Sequence, residues 1–343
     1  IDRASDDPLV RYRGLLPCQP PAGASSSIAL PATPTTRARA LGSAYGVANL
    51  FIKDETRLPT GSTKDRVAAV ALPTMAAHGV RRFAMTSTGN TSSAYARILP
   101  LVPELEMVVF TPEEFLPRVR HVDGERVLHF ALRGASYTDS LRAVSRYEED
   151  HGLHPEGGFF NPARREGLKL AFLEAVEQAE TSFDWYVQAV SSAMGVYGCY
   201  KGAKELKALG RVDRTPRLLC VQQASCAPMV RAFEAGATTS VPREVIVERP
   251  RGIAPAILMG DPSEVYPYVA EIVRQSGGTM LAVDEAEILA ARAALLDLEG
   301  IDACASASAA VAGVLRAARA GLFAPDARIL LNVSGGERTA DGG

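Results

Sequence analysis

The chain has 343 residues, of which 47% are hydrophobic, and its formal net charge is −2 at pH 7. This length allows two α/β lobes with a sizeable core, and the near-neutral charge gives no reason to expect nucleic acid or an anionic membrane as a partner. No apolar run approaches the roughly 20 residues that span a bilayer. Residues 1–7 are too polar for the core of a signal peptide, so we expect a cytoplasmic protein.

Residues 19–27, rich in Pro, Gly and Ser, predict a linker or extended arm. The pattern after it predicts helices at 36–45, 64–78, 91–99, 139–149, 164–179, 195–209, 228–235, 262–276, 284–299 and 305–320. Short apolar runs predict buried strands at 51–53, 83–85, 107–110, 129–132, 185–189, 217–221, 280–283 and 329–333. Apolar strands that alternate with helices indicate a largely parallel sheet covered on both faces.

The cysteines give no indication of a metal site or of disulfide bonds. They are odd in number, widely spaced and without a CxxC pair. This pattern predicts reduced, small apolar residues. The five are Cys18, Cys199, Cys220, Cys226 and Cys304.

Two loops carry the strongest chemical signal. Lys64 opens a predicted helix, and residues 86–92 form a loop of glycine, asparagine and hydroxyl side chains before another. A lysine with a depressed pKa can form a Schiff base with an aldehyde cofactor, and small residues at a helix start offer backbone N–H groups to an anion. A Lys-Asp-Arg triplet is usually a solvated helix surface. However, the chain has only six lysines against 31 arginines, so Lys64 is not its ordinary surface cation.

Two further loops follow predicted strands. Residues 191–195, Ser-Ser-Ala-Met-Gly, come before a helix, and small residues there let backbone N–H groups close on a phosphate. Hydroxyl-rich helix starts are common, so this motif is weak when taken alone. The last predicted strand ends at Ser334, which by itself indicates only a capped strand.

In this order, the motifs resemble the pyridoxal-phosphate enzymes of fold type II, which include threonine synthase, cysteine synthase and cysteate synthase. The resemblance implies a two-lobed α/β fold, similar to the tryptophan synthase β chain, with mostly parallel sheets covered by helices. Residues 11–17, 53–55 and 161–169 are similar to threonine synthase, and residues 156–158, 163–165 and 332–336 are similar to cysteate synthase.

The resemblance implies pyridoxal 5′-phosphate as cofactor and a role for each matching residue. Lys64 would form the Schiff base, and Asn90 would hydrogen bond to the 3′-oxygen of the cofactor. Ser334 would face the pyridine nitrogen, where a neutral hydroxyl favours elimination and replacement over transamination. The cofactor phosphate would lie on Ser191, Ser192, Ala193, Met194 and Gly195. The substrate would lie on Ser87, Thr88, Gly89 and Thr91, of which the last three would hold its carboxylate.

A second anion site is predicted where a helix begins near Pro162. Asn161, Arg164 and Arg165 combine an amide, guanidinium groups and a helix N-terminus, which together suit an oxyanion. Two arginines on a surface helix of an arginine-rich protein are the simpler explanation. The resemblance favours the anion site, because threonine and cysteate synthases act on O-phospho amino acids and carry an arginine at the position of Arg164.

The chain departs from the family pattern at several positions. Ser191 and Ala193 stand where glycines are usual, and Met194 replaces threonine or glycine, which predicts a tighter phosphate loop. Residues 31–35, Pro-Ala-Thr-Pro-Thr, replace the usual Gly-Asn-Thr-Pro-Leu. Leu168 and Leu170 stand where threonine synthases tend to carry glutamine and threonine around Lys169. Because these changes concern the substrate side more than the cofactor side, the sequence specifies the cofactor better than the substrate.

The reaction that the resemblance implies is elimination or replacement on an activated, O-phospho amino acid. Lys64 would remove the α-proton, and a nucleophile co-substrate would add to an aminoacrylate-type intermediate; β- and γ-chemistry both remain open. Residues 1–79 and 156–343 are predicted to form a large cofactor-anchoring lobe, and residues 80–155 a smaller mobile lobe. We also expect a homodimer.

Other functions remain alternatives. An O-acetylserine- or cysteine-using β-replacement enzyme and a serine or threonine dehydratase would use the same cofactor residues. A nicotinamide dehydrogenase is disfavoured, because no GxGxxG string occurs. The presence of both Lys64 and Ser334 argues against a regulatory homologue that only binds the cofactor.

Overall fold

The structure is a computed structural model that describes residues 1–17, 28, 30–120 and 124–337. The predicted linker at 19–27 and Cys18 lie outside the described residues. The chain divides into two compact units, one formed by the described parts of 1–32 and 58–168 and the other by 33–57 and 169–337. No helix in these described ranges is long and apolar enough to cross a membrane.

The described strands are β1 (Thr35–Arg37), β2 (Asn49–Asp54), β3 (Arg82–Thr86), β4 (Glu106–Pro112), β5 (Val127–Leu132), β6 (His154–Pro155), β7 (Trp185–Ala189), β8 (Arg217–Gln223), β9 (Thr279–Val283) and β10 (Arg328–Val333). The described α-helices are α1 (Pro8–Arg11), α2 (Arg39–Tyr45), α3 (Lys64–Ala77), α4 (Asn90–Ile98), α5 (Tyr137–His151), α6 (Pro162–Ala179), α7 (Met194–Ala208), α8 (Pro228–Glu234), α9 (Tyr266–Gln275), α10 (Glu285–Glu299) and α11 (Ala305–Arg319).

The first unit contains a four-stranded parallel sheet in the order β5-β4-β3-β6. A cluster that includes Ala84, Val108 and Phe110 forms the core between this sheet and α5. Helix α5 starts with a reciprocal capping box, in which Ser136 and Asp139 satisfy each other's backbone N–H groups. The apolar strand runs therefore form a sheet, as predicted.

The second unit contains a six-stranded sheet in the order β1-β2-β10-β7-β8-β9. All neighbours in it are parallel except β1, which pairs with β2 in the antiparallel sense. Every residue of β7 is buried, as expected for a strand that is covered on both faces. Because β7 and β10 are parallel neighbours, the segments that follow them leave the sheet at the same edge.

The predicted strands and helices are found, with ends that shift by a few residues, and two predictions of range were wrong. Residues 35–37 form strand β1 instead of the first turn of a helix, because the threonines there pair with β2. The helix predicted at 262–276 begins at Tyr266. The sequence patterns also missed β6 and α1, each of four residues or fewer.

Candidate active site

Lys64 is the first residue of α3, and its turn is fixed by Asp65. The Asp65 carboxylate is fully buried and accepts hydrogen bonds from the backbone N–H of Thr60 at 2.7 Å and from its hydroxyl at 2.8 Å. Arg97 Nε adds an ion pair at 3.1 Å. The acid of the Lys-Asp-Arg triplet is thus a structural anchor that holds Lys64 at the helix start.

The electrostatic surroundings of Lys64 favour a neutral amine. The pKa of Lys64 is lowered from its ordinary value of 10.5 to about 8, mainly by burial and also by the positive charge of Arg164, while the Glu156 carboxylate opposes the shift. A neutral amine is the nucleophile that attacks an aldehyde and the base that removes a proton. The predicted Schiff-base residue therefore has the chemistry that its role requires.

This lowered pKa predicts a pH dependence for cofactor capture. The fraction of neutral amine should rise from about one-tenth at pH 7 to about nine-tenths at pH 9, because a group with a depressed pKa loses its proton earlier. We expect the rate at which cofactor-free protein captures pyridoxal phosphate to level off above pH 9. Stopped-flow absorbance measures this rate, and N-acetyl-lysine in parallel corrects for titration of the cofactor itself. A rate that still rises tenfold per pH unit above 9 would contradict the prediction.

The loop that follows β3 is held together by Ser87. Its hydroxyl oxygen accepts hydrogen bonds from Gly89 N at 3.0 Å and Ser92 N at 3.1 Å. Gly89 has φ +108°, and a Cβ there would lie 2.7 Å from the carbonyl oxygen of Arg118, so only glycine fits. Helix α4 begins directly afterwards without a side-chain cap. The backbone N–H groups of its first two residues, Asn90 and Thr91, are therefore available to an anion, whereas that of Ser92 is used by Ser87.

Asn90 and Thr91 form the first turn of α4. The Asn90 side-chain oxygen Oδ1 is buried and has no hydrogen-bond partner within the described residues, which indicates a site that is built to face a ligand. The Thr91 hydroxyl accepts a hydrogen bond from Arg164 Nη2 at 3.3 Å. The loop thus brings Thr91 to Arg164. The roles predicted for Ser87, Thr88, Gly89 and Thr91 toward a substrate stay predictions.

The three polar residues of the predicted second anion site lie in different environments. Arg164 is 6% exposed and pairs with Glu156 Oε2 at 2.7 Å. Asn161 uses its amide locally: Oδ1 accepts from Ala163 N, and Nδ2 donates to the backbone oxygen of Glu156. The Arg165 guanidinium lies over the Phe159 ring at 5.4 Å. Of the three predicted polar residues, Arg164 is thus the one whose charge acts on Lys64, and a substrate contact of Asn161 stays a prediction.

Within the second unit, residues 191–195 lead from β7 into α7. Ala193 has φ +59°, in the left-handed region that favours glycine, and its methyl side chain provides no cap for the helix. The first-turn N–H groups of α7 therefore receive no hydrogen-bond acceptor from the side chain of the N-cap residue. A Cβ at Gly195 would lie 2.5 Å from the Gln188 amide, so this glycine is required for close packing. This loop has the geometry of an anion site.

Ser334 follows β10 and lies at the same edge of the sheet as the 191–195 loop. A buried network supports this edge. The Tyr186 hydroxyl donates to Gln188 Oε1 at 2.6 Å and accepts from Asn332 Nδ2 at 2.7 Å. Burial raises the pKa of Tyr186 well above its ordinary value, so its hydroxyl keeps its proton. The predicted phosphate loop and Ser334 therefore share one supporting network.

Sequence reasoning missed three polar residues that support these sites. Glu156 and Tyr95 surround Arg164, and Gln188 packs under the phosphate loop. Glu156 lies in the motif at residues 156–158, which does not indicate its pairing with Arg164. Its pairing with residues far away in sequence gives no local pattern, so one sequence could not reveal it.

Comparison with known proteins shows the family of the chain. A family model described as "pyridoxal-phosphate dependent enzyme" matches residues 27–335. The chain belongs to this family. It is a pyridoxal-phosphate-dependent enzyme, and its cofactor is pyridoxal 5′-phosphate. The prediction of cofactor and fold class from the sequence is confirmed.

Characterised relatives of this pyridoxal-phosphate-dependent enzyme include two synthases. The chain is 32% identical to the threonine synthase of Methanosarcina acetivorans, with 88% of this chain and 74% of the relative covered. It is 30% identical to the cysteate synthase of Methanospirillum hungatei, with 90% and 78% covered. The structure of maize serine racemase superimposes with a TM-score of 0.74 at 17% identity, over 98% of this chain and 94% of that one, which shows a shared fold.

Each unit, taken by itself, has residues that suit a chemical group of pyridoxal phosphate. The first unit supplies a lysine with a lowered pKa and the buried Asn90 oxygen that has no partner within the described residues. The second supplies the uncapped helix start after 191–195, where a side chain at Gly195 has no room. An aldehyde, a ring oxygen and a phosphate each have a chemically suitable counterpart. The assignment of individual residues to these groups remains a proposal.

Proposed function

We propose that this enzyme catalyses elimination or replacement on an amino acid that carries a second anionic group, in the simplest case an O-phospho ester. The observation that carries this proposal is Arg164. It is buried, its positive charge acts on Lys64, and its Nε has no hydrogen-bond partner within the described residues. A buried guanidinium with a free donor suits an oxyanion ligand.

The proposed roles follow from the residues. Pyridoxal phosphate, when bound, withdraws electrons from the α-carbon of the attached amino acid. Lys64 holds the cofactor and then, as a neutral amine, takes the α-proton on Nζ. Asn90 would bind the ring oxygen of the cofactor, and the neutral Ser334 hydroxyl would interact with its pyridine nitrogen. Residues 191–195 bind the cofactor phosphate through their N–H groups and the helix dipole.

The substrate residues complete the proposal. The N–H groups at the start of α4, after Thr88 and Gly89, suit the substrate carboxylate, with the Thr91 hydroxyl beside them. Arg164 takes the leaving group or its neighbouring anionic group. The names of the relatives support this choice, because threonine synthase and cysteate synthase match at 32% and 30% identity over most of the chain.

A substrate screen tests the proposed function. We expect O-phosphoserine or O-phosphohomoserine to change the absorbance of the yellow holoenzyme and to release phosphate. O-Acetylserine, cysteine and threonine lack the second anionic group, so we expect their kcat/KM to be at least about tenfold lower, equivalent to roughly 1.4 kcal/mol. Phosphate release and 2-oxo acid formation provide the measurement. Turnover of O-acetylserine that equals that of both phosphorylated substrates would contradict the proposal.

Several broader properties belong to the same proposal. They are a nucleophile co-substrate, a homodimer and a cytoplasmic location. The smaller mobile lobe at 80–155 is also a proposal. These residues include the strands of the first unit's sheet and the Asn90 loop, which suits a body that carries substrate-binding groups.

A further inference from the structure

The guanidinium of Arg164 is held in place, because the buried Glu156 carboxylate binds its Nη1 nitrogen. Glu156 is 4% exposed, and its Oε2 lies 2.7 Å from Arg164 Nη1. The same oxygen accepts a hydrogen bond from Gly158 N at 3.0 Å. Burial has the largest single effect and lowers the pKa of Arg164, but the charge and hydrogen bond of Glu156, together with Tyr95 and Tyr137, outweigh it, so the pKa is raised overall. The guanidinium therefore stays charged and fixed.

The second oxygen of Glu156 is held by Tyr95. The Tyr95 hydroxyl donates to Oε1 at 2.5 Å, and the side chain is fully buried. Burial raises the pKa of Tyr95 well above its ordinary value, and the Glu156 charge raises it further. Tyr95 thus remains a hydrogen-bond donor. The carboxylate is fixed at both oxygens and has little freedom to rotate.

This arrangement leaves one edge of the Arg164 guanidinium available to a ligand. Nη1 is used by Glu156, Nη2 makes a long contact of 3.3 Å to the Thr91 hydroxyl, and Nε has no partner within the described residues. Nε and Nη2 form one edge of the guanidinium, and such an edge binds an oxyanion through two parallel hydrogen bonds. The unsatisfied Nε of a buried side chain is itself an indication of a ligand.

We propose that Glu156 and Tyr95 are positioning residues that present the Nε–Nη2 edge of Arg164 to the anionic group of the substrate. This inference rests on the proposed function. Neither residue needs to touch the substrate. Glu156 also neutralises the guanidinium before the substrate arrives, so the anion is recognised by geometry more than by net charge, and an inorganic phosphate product can leave.

Two conservative variants test the positioning. Tyr95→Phe removes one hydroxyl, and Glu156→Asp keeps the charge but withdraws the carboxylate by one methylene. We expect each to weaken binding of inorganic phosphate to the holoenzyme by roughly fivefold to tenfold, the size of one lost hydrogen bond. Isothermal titration calorimetry measures this binding. Tyr147→Phe, which removes a tyrosine hydroxyl on α5 in the same unit, should leave it unchanged.

The kinetic signature separates positioning from a loss of folding. With a phosphorylated substrate, both variants should raise KM while kcat stays within about twofold, and the KM for O-acetylserine should not change. A Tyr95→Phe, Arg164→Ala double variant should bind phosphate no more weakly than Arg164→Ala alone, because Tyr95 acts through Arg164.

The outcomes distinguish this inference from the function on which it rests. If Arg164→Ala leaves phosphate binding intact, the proposed anion site itself is wrong. If Arg164→Ala weakens binding but Tyr95→Phe and Glu156→Asp do not, the anion site stands and the positioning role is overturned. Equal changes in KM for O-phosphoserine and O-acetylserine would also overturn it, because they would indicate a general structural effect.

Discussion

Replacing Lys64 with alanine should lower kcat by at least about 10³-fold, within the range that a general base contributes. The variant loses both the covalent attachment of the cofactor and the base beside the α-carbon. The pKa of Lys64 is lowered to about 8 by burial and by the charge of Arg164. Borohydride reduction of the wild-type holoenzyme followed by peptide mapping should therefore label Lys64.

A second lysine serves as the control for this experiment. Lys207 is exposed near the end of α7, so Lys207→Ala should keep full activity and the same label. A label on any lysine other than Lys64 would refute the assignment. So would a Lys64→Ala variant that retains a reducible bond to the cofactor.

The cofactor residues were predictable from sequence because each lies in a local pattern. Lys64 is one of six lysines and opens a helix, and Ser334 ends an apolar strand. The 191–195 loop joins a strand of consecutive buried residues to a helix, and such junctions bind phosphate for reasons of backbone geometry. Local sequence therefore specifies the positions of these groups.

The network around Arg164 was not predictable, because its members are distant in sequence. Glu156 pairs with Arg164 across eight positions and with Tyr95 across 61, and Thr91 lies 73 positions from Arg164. These contacts exist only once strands β3 and β6 pair. With two paired residues on each strand, that pairing is too short to leave a periodic signal.

The backbone conformation at Ala193 was also not predictable from the sequence. A glycine would adopt φ +59° without strain, whereas alanine in the left-handed region costs roughly 1–2 kcal/mol. The sequence indicated only that a usual glycine was replaced and predicted a tighter loop. The structure shows that the backbone keeps the left-handed conformation at Ala193, so the N–H groups of the helix start are preserved at the cost of local strain.

Replacing Arg164 with alanine should raise KM for a phosphorylated substrate by more than tenfold, equivalent to about 1.4 kcal/mol or more. The cofactor absorbance should persist, because Arg164 contributes to the substrate side. The reason is the Nε–Nη2 edge, which the variant removes; its Nε has no hydrogen-bond partner within the described residues, and its Nη2 makes only the long contact to Thr91. The expected change is in KM for substrates with a second anionic group, and the KM for O-acetylserine should stay close to that of the wild type.

Loss of Arg164 also leaves the buried Glu156 carboxylate without its ion pair, which typically destabilises a protein by about 3–5 kcal/mol. The Arg164→Ala, Glu156→Gln double variant separates the two effects. It removes both buried charges, so we expect the thermal midpoint to recover while KM stays high. Arg165→Ala removes a charge from the next position, where the guanidinium lies over Phe159, and should leave KM unchanged. Recovery of KM together with stability in the double variant would show that Arg164 is structural, and an O-acetylserine-type substrate would then be the better proposal.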